Sequence, residues 1–233
     1  MAEELFSNVE DGITPNIPTD EVENDHMFLL AVVDDDSDSM DSFAGAKAKA
    51  KREFIDSIVG SKSDDEIMVS LTTFASRGDT KYHGFDFASN MPTDEHVNSG
   101  LTALYDAIIR SQEGLFSGDG QGYMEQLNAS GVRTRGALVI FSDGQDNDSY
   151  ASGSNARAAI ELLRKQEILV AFVAFGDPAK GIADKIGVDQ KNVLETAATA
   201  SDLRQIWGIM SKSAVSASKN AATGPSQDAF FTV

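Results

Sequence analysis

The chain has 233 residues, enough for one ordinary domain with a sizeable core. It holds no cysteine, which excludes a disulfide framework, thiolate ligation of zinc or iron–sulfur clusters, and thiol catalysis. Against 19 Lys and Arg stand 37 Asp and Glu, a formal net charge of −18, so the chain repels phosphate backbones and is not expected to bind nucleic acid.

Residues 1 to about 22 read as an irregular lead-in with two of the five prolines, although Leu5, Phe6, Ile13 and Ile17 are able to dock on the body. The run MFLLAVV (27–33) is short and continuously apolar, as in a strand buried on both faces. It is the longest such run and falls far short of the roughly 20 residues of a membrane helix. The acidic start lacks a basic segment followed by an apolar one, so a soluble cytoplasmic protein is expected. Residues 46–60 predict a helix with Phe54, Ile55, Ile58 and Val59 on one face and Gly60 as its stop. EIMVSLTTF (66–74) and KYHGFDF (81–87) predict two strands joined as a hairpin around Arg77, Gly78 and Asp79. Leu101, Leu104, Tyr105 and Ile108 recur at helical spacing over 101–112.

A glycine-rich connector at 114–134 is long for a loop. GALVIF (136–141) predicts a buried strand, 156–166 a helix, and ILVAFVAF (168–175) another buried strand. Asp177 and Pro178 open a short helix to about Ile186, followed by a minimal strand at 192–194. Leu203, Ile206, Trp207, Met210 and Ala214 stripe a last helix, after which 216–233 reads as a small, polar tail closed by Phe230 and Phe231. Buried strands alternating with amphipathic helices give an α/β fold: an open, mostly parallel sheet with helices on both faces and one antiparallel edge strand.

Ligands of such sheets lie outside the carboxyl ends of the strands. Two loops there are acidic: 34–41 (DDDSDSMD) and 142–148 (SDGQDND), which together hold nine Asp or Asn and no Lys or Arg. A hard divalent cation with oxygen ligands is the simplest compensation for so many carboxylates, while helix capping by Asp and Ser explains part of the same composition. An EF-hand register starting at Asp34 fails, because Ser39 stands at the turn glycine and Gly45 at the closing Glu.

The spacing Asp35-x-Ser37-x-Ser39 directly after an apolar strand resembles the opening motif of the von Willebrand factor A domain. The segment 100–107 (GLTALYDA) is similar to that family's threonine motif, and Ile140-Phe141-Ser142-Asp143-Gly144 to its late aspartate motif. The likeness covers about residues 25 to 215, and we place the domain at 23–215 between an irregular 1–22 and a tail at 216–233. It implies a Rossmann-like, doubly wound fold of about six strands and a metal-ion-dependent adhesion site, or MIDAS. By the resemblance, Ser37, Ser39 and Thr102 bind the ion directly, and Asp35 and Asp143 act partly through waters. The partner implied is a protein that offers an Asp or Glu to the metal. Oxygen ligands and the lack of cysteine favour Mg2+, with Mn2+ or Ca2+ as substitutes.

The family often has glycine between the two serines, where Asp38 stands here; with Asp36 and Asp41 this predicts a strongly acidic rim, open to a second cation or a basic partner. The last helix is similar to that of bacterial intracellular members associated with tellurite-resistance and stress operons, or of a phage relative, which implies partners such as phosphatases, kinases or AAA+ ATPases. His96 lies in the loop before Thr102, within reach of the rim; an exposed loop histidine is the simpler expectation. Two alternatives stay open. Asp34 and Asp36 with Ser142 resemble a haloacid-dehalogenase-type, Mg-dependent phosphohydrolase, but Asp38 stands at its Thr/Val position and no second late acid follows Asp177. The other is a metal-free scaffold that keeps only the fold.

Overall fold

The computed structural model describes residues 15–61, 66–94, 97, 100–144, 146–175, 177–196, 199–223 and 229–231. Six strands form one sheet: β1 (His26–Asp35), β2 (Ile67–Phe74), β3 (Thr80–Phe87), β4 (Arg133–Ser142), β5 (Leu169–Phe175) and β6 (Val193–Thr196). Their order is β3-β2-β1-β4-β5-β6. Only β3 runs antiparallel, paired to β2 through the turn at Gly78, and the other neighbours are parallel. This is the mostly parallel, doubly wound sheet that the alternating pattern predicts.

The apolar runs work by parity. Met27, Leu29, Ala31 and Val33 face one layer, where α2 (Leu104–Leu115), α3 (Tyr123–Ala129), α4 (Gly153–Lys165) and α5 (Asp177–Lys185) pack. Phe28, Leu30 and Val32 face the other, covered by α1 (Ala44–Val59) and α6 (Ala200–Thr223). Trp207 of α6 stacks on Phe141 of β4 with ring centroids 4.5 Å apart and meets Phe54 of α1 at 5.1 Å. Burying both faces of β1, β4 and β5 is the main source of cohesion, at about 25 cal/mol per Å² of apolar surface.

Several details depart from the sequence reading. The 114–134 connector contains α3, too short to show a helical period. Its preceding loop is held by Glu125, whose carboxylate accepts the backbone N–H groups of Ser117, Gly118, Gly120 and Gly122. Leu101 precedes α2 and is 45% exposed, so it is not part of that helix's buried stripe, and Val59 on α1 is also exposed. The last helix continues to Thr223, past the point where its composition turns small and polar. Ile17 packs on the core, and its carbonyl accepts the Tyr123 hydroxyl; Phe230 is fully buried, and its N–H donates to Asn192 Oδ1. Leu5, Phe6, Ile13 and His96 lie outside the described residues.

β1 pairs with β2 on one side and β4 on the other, and the chain winds away from it in both directions. The carboxyl ends of β1 and β4 are therefore a topological switch point, where side-by-side loops leave a crevice. Asp35 ends β1 and Ser142 ends β4.

Candidate metal centre

Asp35 is fully buried, and its carboxylate organises the crevice. Oδ1 accepts the backbone N–H of Ser37 at 3.0 Å and its hydroxyl at 2.6 Å; Oδ2 accepts the Ser142 hydroxyl at 2.6 Å. The Ser37 and Ser39 hydroxyls are 3.1 Å apart. Ser37 is buried and Ser39 exposed, so the row runs from the interior to the surface.

Thr102, 3% exposed, is held on both sides of its peptide. Its N–H donates to Asn147 Oδ1 at 2.8 Å, and its carbonyl accepts the N–H groups of Asn147 at 3.0 Å and Asp148 at 3.2 Å. Ala103 N–H reaches the Ala75 carbonyl beyond β2 at 2.7 Å. The start of α2 is capped by the loop after β4, through Asp146 Oδ1 and the Ser149 hydroxyl on Tyr105 N–H. Gly100 lies against the first loop: a Cβ there would sit 2.7 Å from Asp38 Oδ2, so a larger residue would require the exposed Asp38 side chain to turn aside. Asp143 follows Ser142, half-buried, and Gly144 beside it turns at φ +86 where a Cβ would strike Ala179 of α5. The fold thus brings Asp35, Ser37 and Ser39 into direct contact and sets the segments of Thr102 and Asp143 beside them.

Burial pushes the Asp35 carboxyl up to about 6; the Ser142 and Ser37 hydrogen bonds pull it down, and the charge of Asp143 adds to the rise. Among the described residues no cation forms an ion pair with this carboxylate. A buried, hydroxyl-bonded carboxylate with a second one nearby fits a divalent cation bound through oxygen. Among the described residues no group of three or more His, Asp or Glu is placed to hold a metal, so a cation here rests on hydroxyls as well as carboxylates.

The other acids of the first loop are accounted for differently: the loop itself holds no Lys or Arg, but part of the compensation expected from a divalent cation comes from lysines of α1. Lys47 and Lys51 of α1, 2% and 5% exposed, reach Asp34 at 3.2 and 2.5 Å. Lys47 also reaches Asp36 at 3.2 Å. Burial alone would raise Asp34, but the two ammoniums hold it below the usual carboxylate range. Asp36 is 7% exposed and therefore not on the rim; Asp38 and Asp41 are exposed there. Ser142, quoted within the late motif, proves to bond Asp35, while the contacts of Asn147 and of the two lysines are ones that motif spacing missed. The signal for the lysines was Asp34 itself, a carboxylate inside a buried strand opposite a helix with Lys at positions four apart.

The model of the von Willebrand factor type A domain matches residues 30–212, most of the chain, and the chain belongs to that family. The sheet is similar to that of the pilus adhesin SpaC of Lactobacillus rhamnosus GG, at a TM-score of 0.63, 12% identity, 83% coverage of this chain and 30% of that one. It is also similar to proximal thread matrix protein 1 of the mussel byssus with a zinc-occupied MIDAS motif (TM-score 0.59, 17% identity, 82% of this chain and 46% of that one). A third relative in fold is the manganese-loaded TRAP protein of Plasmodium vivax (TM-score 0.51, 15% identity, 78% of this chain and 72% of that one). The chain thus spans about a third of the adhesin's length and about half of the mussel protein's. No curated protein matches it in sequence. Among the described residues no helix is long and apolar enough to cross a membrane.

Proposed function

We propose that the domain is a metal-dependent protein-binding module, not an enzyme, with a divalent cation held by Asp35, Ser37, Ser39, Thr102 and Asp143. The observation that carries this reading is the Asp35 carboxylate, fully buried at the switch point and bonded to hydroxyls in place of a cationic side chain. Ser37, Ser39 and Thr102 offer neutral oxygens, and few direct carboxylates leave an ion electron-poor. When bound, the ion supplies a Lewis-acidic position for an Asp or Glu of a partner protein. The all-oxygen donors suit Mg2+, with Mn2+ or Ca2+ as substitutes. Exposed Asp38 and Asp41 favour a partner whose acidic residue sits among basic ones. We read that partner as a member of a bacterial or phage stress-response complex, a reading supported by the likeness of the last helix to that of tellurite-resistance-associated members.

The phosphohydrolase alternative is disfavoured by the same geometry. It needs Asp34 and Asp36 as nucleophile and acid, and both are buried against lysines. The test is thermal melting with added Mg2+ and binding of Mn2+ followed by loss of the free-ion spin-resonance signal. Wild type gains stability and binds, and Ser37→Ala/Thr102→Ala does neither; an equal response in both proteins overturns the site.

A further inference from the structure

The metal centre uses Asp35 and leaves its neighbours and two buried lysines without a part. Neutralising Asp34 and Asp36 would need only an ammonium for each. Lys51 takes Asp34 at 2.5 Å, and Lys47 does more. Its ammonium lies 3.2 Å from both Asp34 Oδ1 and Asp36 Oδ1 and donates to the backbone carbonyl of Asp35 itself. The other oxygen of Asp36 accepts the N–H of Val97 at 2.9 Å. Val97 is buried in the segment that leads to Gly100 and Thr102. One lysine therefore connects α1, the end of β1 and the approach to the threonine.

We propose that Lys47 is a positioning residue for the metal centre: through the Asp35 carbonyl and Asp36 it locks the Asp35/Ser37/Ser39 loop and the Thr102 segment into one frame before a cation arrives. This rests on the reading of the Asp35 site as a metal centre. Hydroxyl donors are weak ligands singly, so a cation gains most when they are held in place beforehand. Supporting residues of this kind change metal affinity about 10–100-fold when removed.

The sign of the effect separates positioning from plain electrostatics. Deleting a positive charge near a cation site strengthens binding if charge is all that matters. Deleting a strut weakens it. The experiment is Mn2+ titration of wild type, Lys47→Met and Lys47→Arg, each checked for a cooperative melt. Lys47→Met is expected to bind about tenfold more weakly or worse. Equal or tighter binding overturns the proposal. Lys47→Arg keeps the charge but changes the reach, so it too is expected to bind more weakly; it carries the test alone if Lys47→Met does not fold, and unchanged affinity there overturns the proposal. If wild type itself fails to bind Mn2+, the metal centre fails, a result distinct from wild-type binding that Lys47→Met leaves intact.

Discussion

Asp34 and Asp35 are adjacent in one strand, both buried, and the fold treats them in opposite ways. Strand alternation turns Asp34 toward α1, where Lys47 and Lys51 meet it and hold its carboxyl below the usual range. Asp35 turns to the crevice between β1 and β4, where it meets hydroxyls, and burial pushes it up to about 6. The first carboxylate is finished within the chain. The second retains the attraction for a cation that its surroundings do not supply. Burial alone therefore does not mark a metal ligand; the kind of partner does.

The largest effect is expected where the finished pair is broken. Asp34→Ala leaves Lys51 without its carboxylate in a nearly water-free layer, and losing one member of a buried pair costs about 3–5 kcal/mol. Urea denaturation measures it. A loss below about 1 kcal/mol would mean that Asp34 and Lys51 are as well solvated as a surface pair, and the contrast with Asp35 would collapse.

Asp35→Asn should act in the opposite direction on the metal-free protein. The raised carboxyl favours the fold below its ordinary value of 3.8, and that contribution is lost as the pH climbs through about 6. At pH 7 the ionised Asp35 therefore costs the metal-free fold about 2–3 kcal/mol, which Asn removes along with Mn2+ binding. Comparing urea midpoints at pH 5 and pH 7 checks the sign: wild type loses stability on going up, Asp35→Asn loses less, and saturating Mg2+ offsets the loss. Asp34 has the reverse dependence, since a lowered carboxyl stabilises at neutral pH and loses its contribution in acid.

How far this contrast was legible in the sequence follows from what each half depends on. Asp35, Ser37, Ser39, Thr102 and Asp143 stand in three short motifs whose likeness to the von Willebrand factor A family pointed to them, and the alternating apolar runs predicted the sheet and its antiparallel edge. The Asp34 half depends on a helix face meeting a strand. Lys47 and Lys51 sit in an Ala-Lys repeat that looks like a solvated surface, and only packing of α1 on the sheet buries them. Asn147 was invisible for the same reason: its amide oxygen holds Thr102 across 45 residues. α3 escaped because seven residues carry less than two helical turns.

Ser142→Ala tests the hydroxyl side with a smaller change. It removes the donor to Asp35 Oδ2 and the acceptor of Gly144 N–H, a cost of about 1–2 kcal/mol. The Ser142 hydrogen bond pulls the Asp35 carboxyl down, so its loss lets burial push the group higher. The pH at which Mn2+ binding is half-lost should therefore move upward. An unchanged midpoint would mean that this hydroxyl does not tune Asp35.

The smallest effect is expected at Lys180 and Glu195, and it isolates burial as the cause of the largest. Their charged atoms are 2.6 Å apart, close to the 2.5 Å of Lys51 and Asp34, but their side chains are 53% and 58% exposed where the inner pair's are 7% and 1%. Water and salt screen the outer pair and leave each partner solvated when the other is removed. Lys180→Ala should therefore cost at most about 0.5 kcal/mol in urea denaturation, and raising the salt should shrink even that. The Asp34→Ala loss should persist in the same salt, because the charge it strands lies out of reach of counterions. A loss of several kcal/mol in Lys180→Ala would show that separation, and not the surroundings, sets the strength of these pairs, and the different fates of Asp34 and Asp35 would then need another cause.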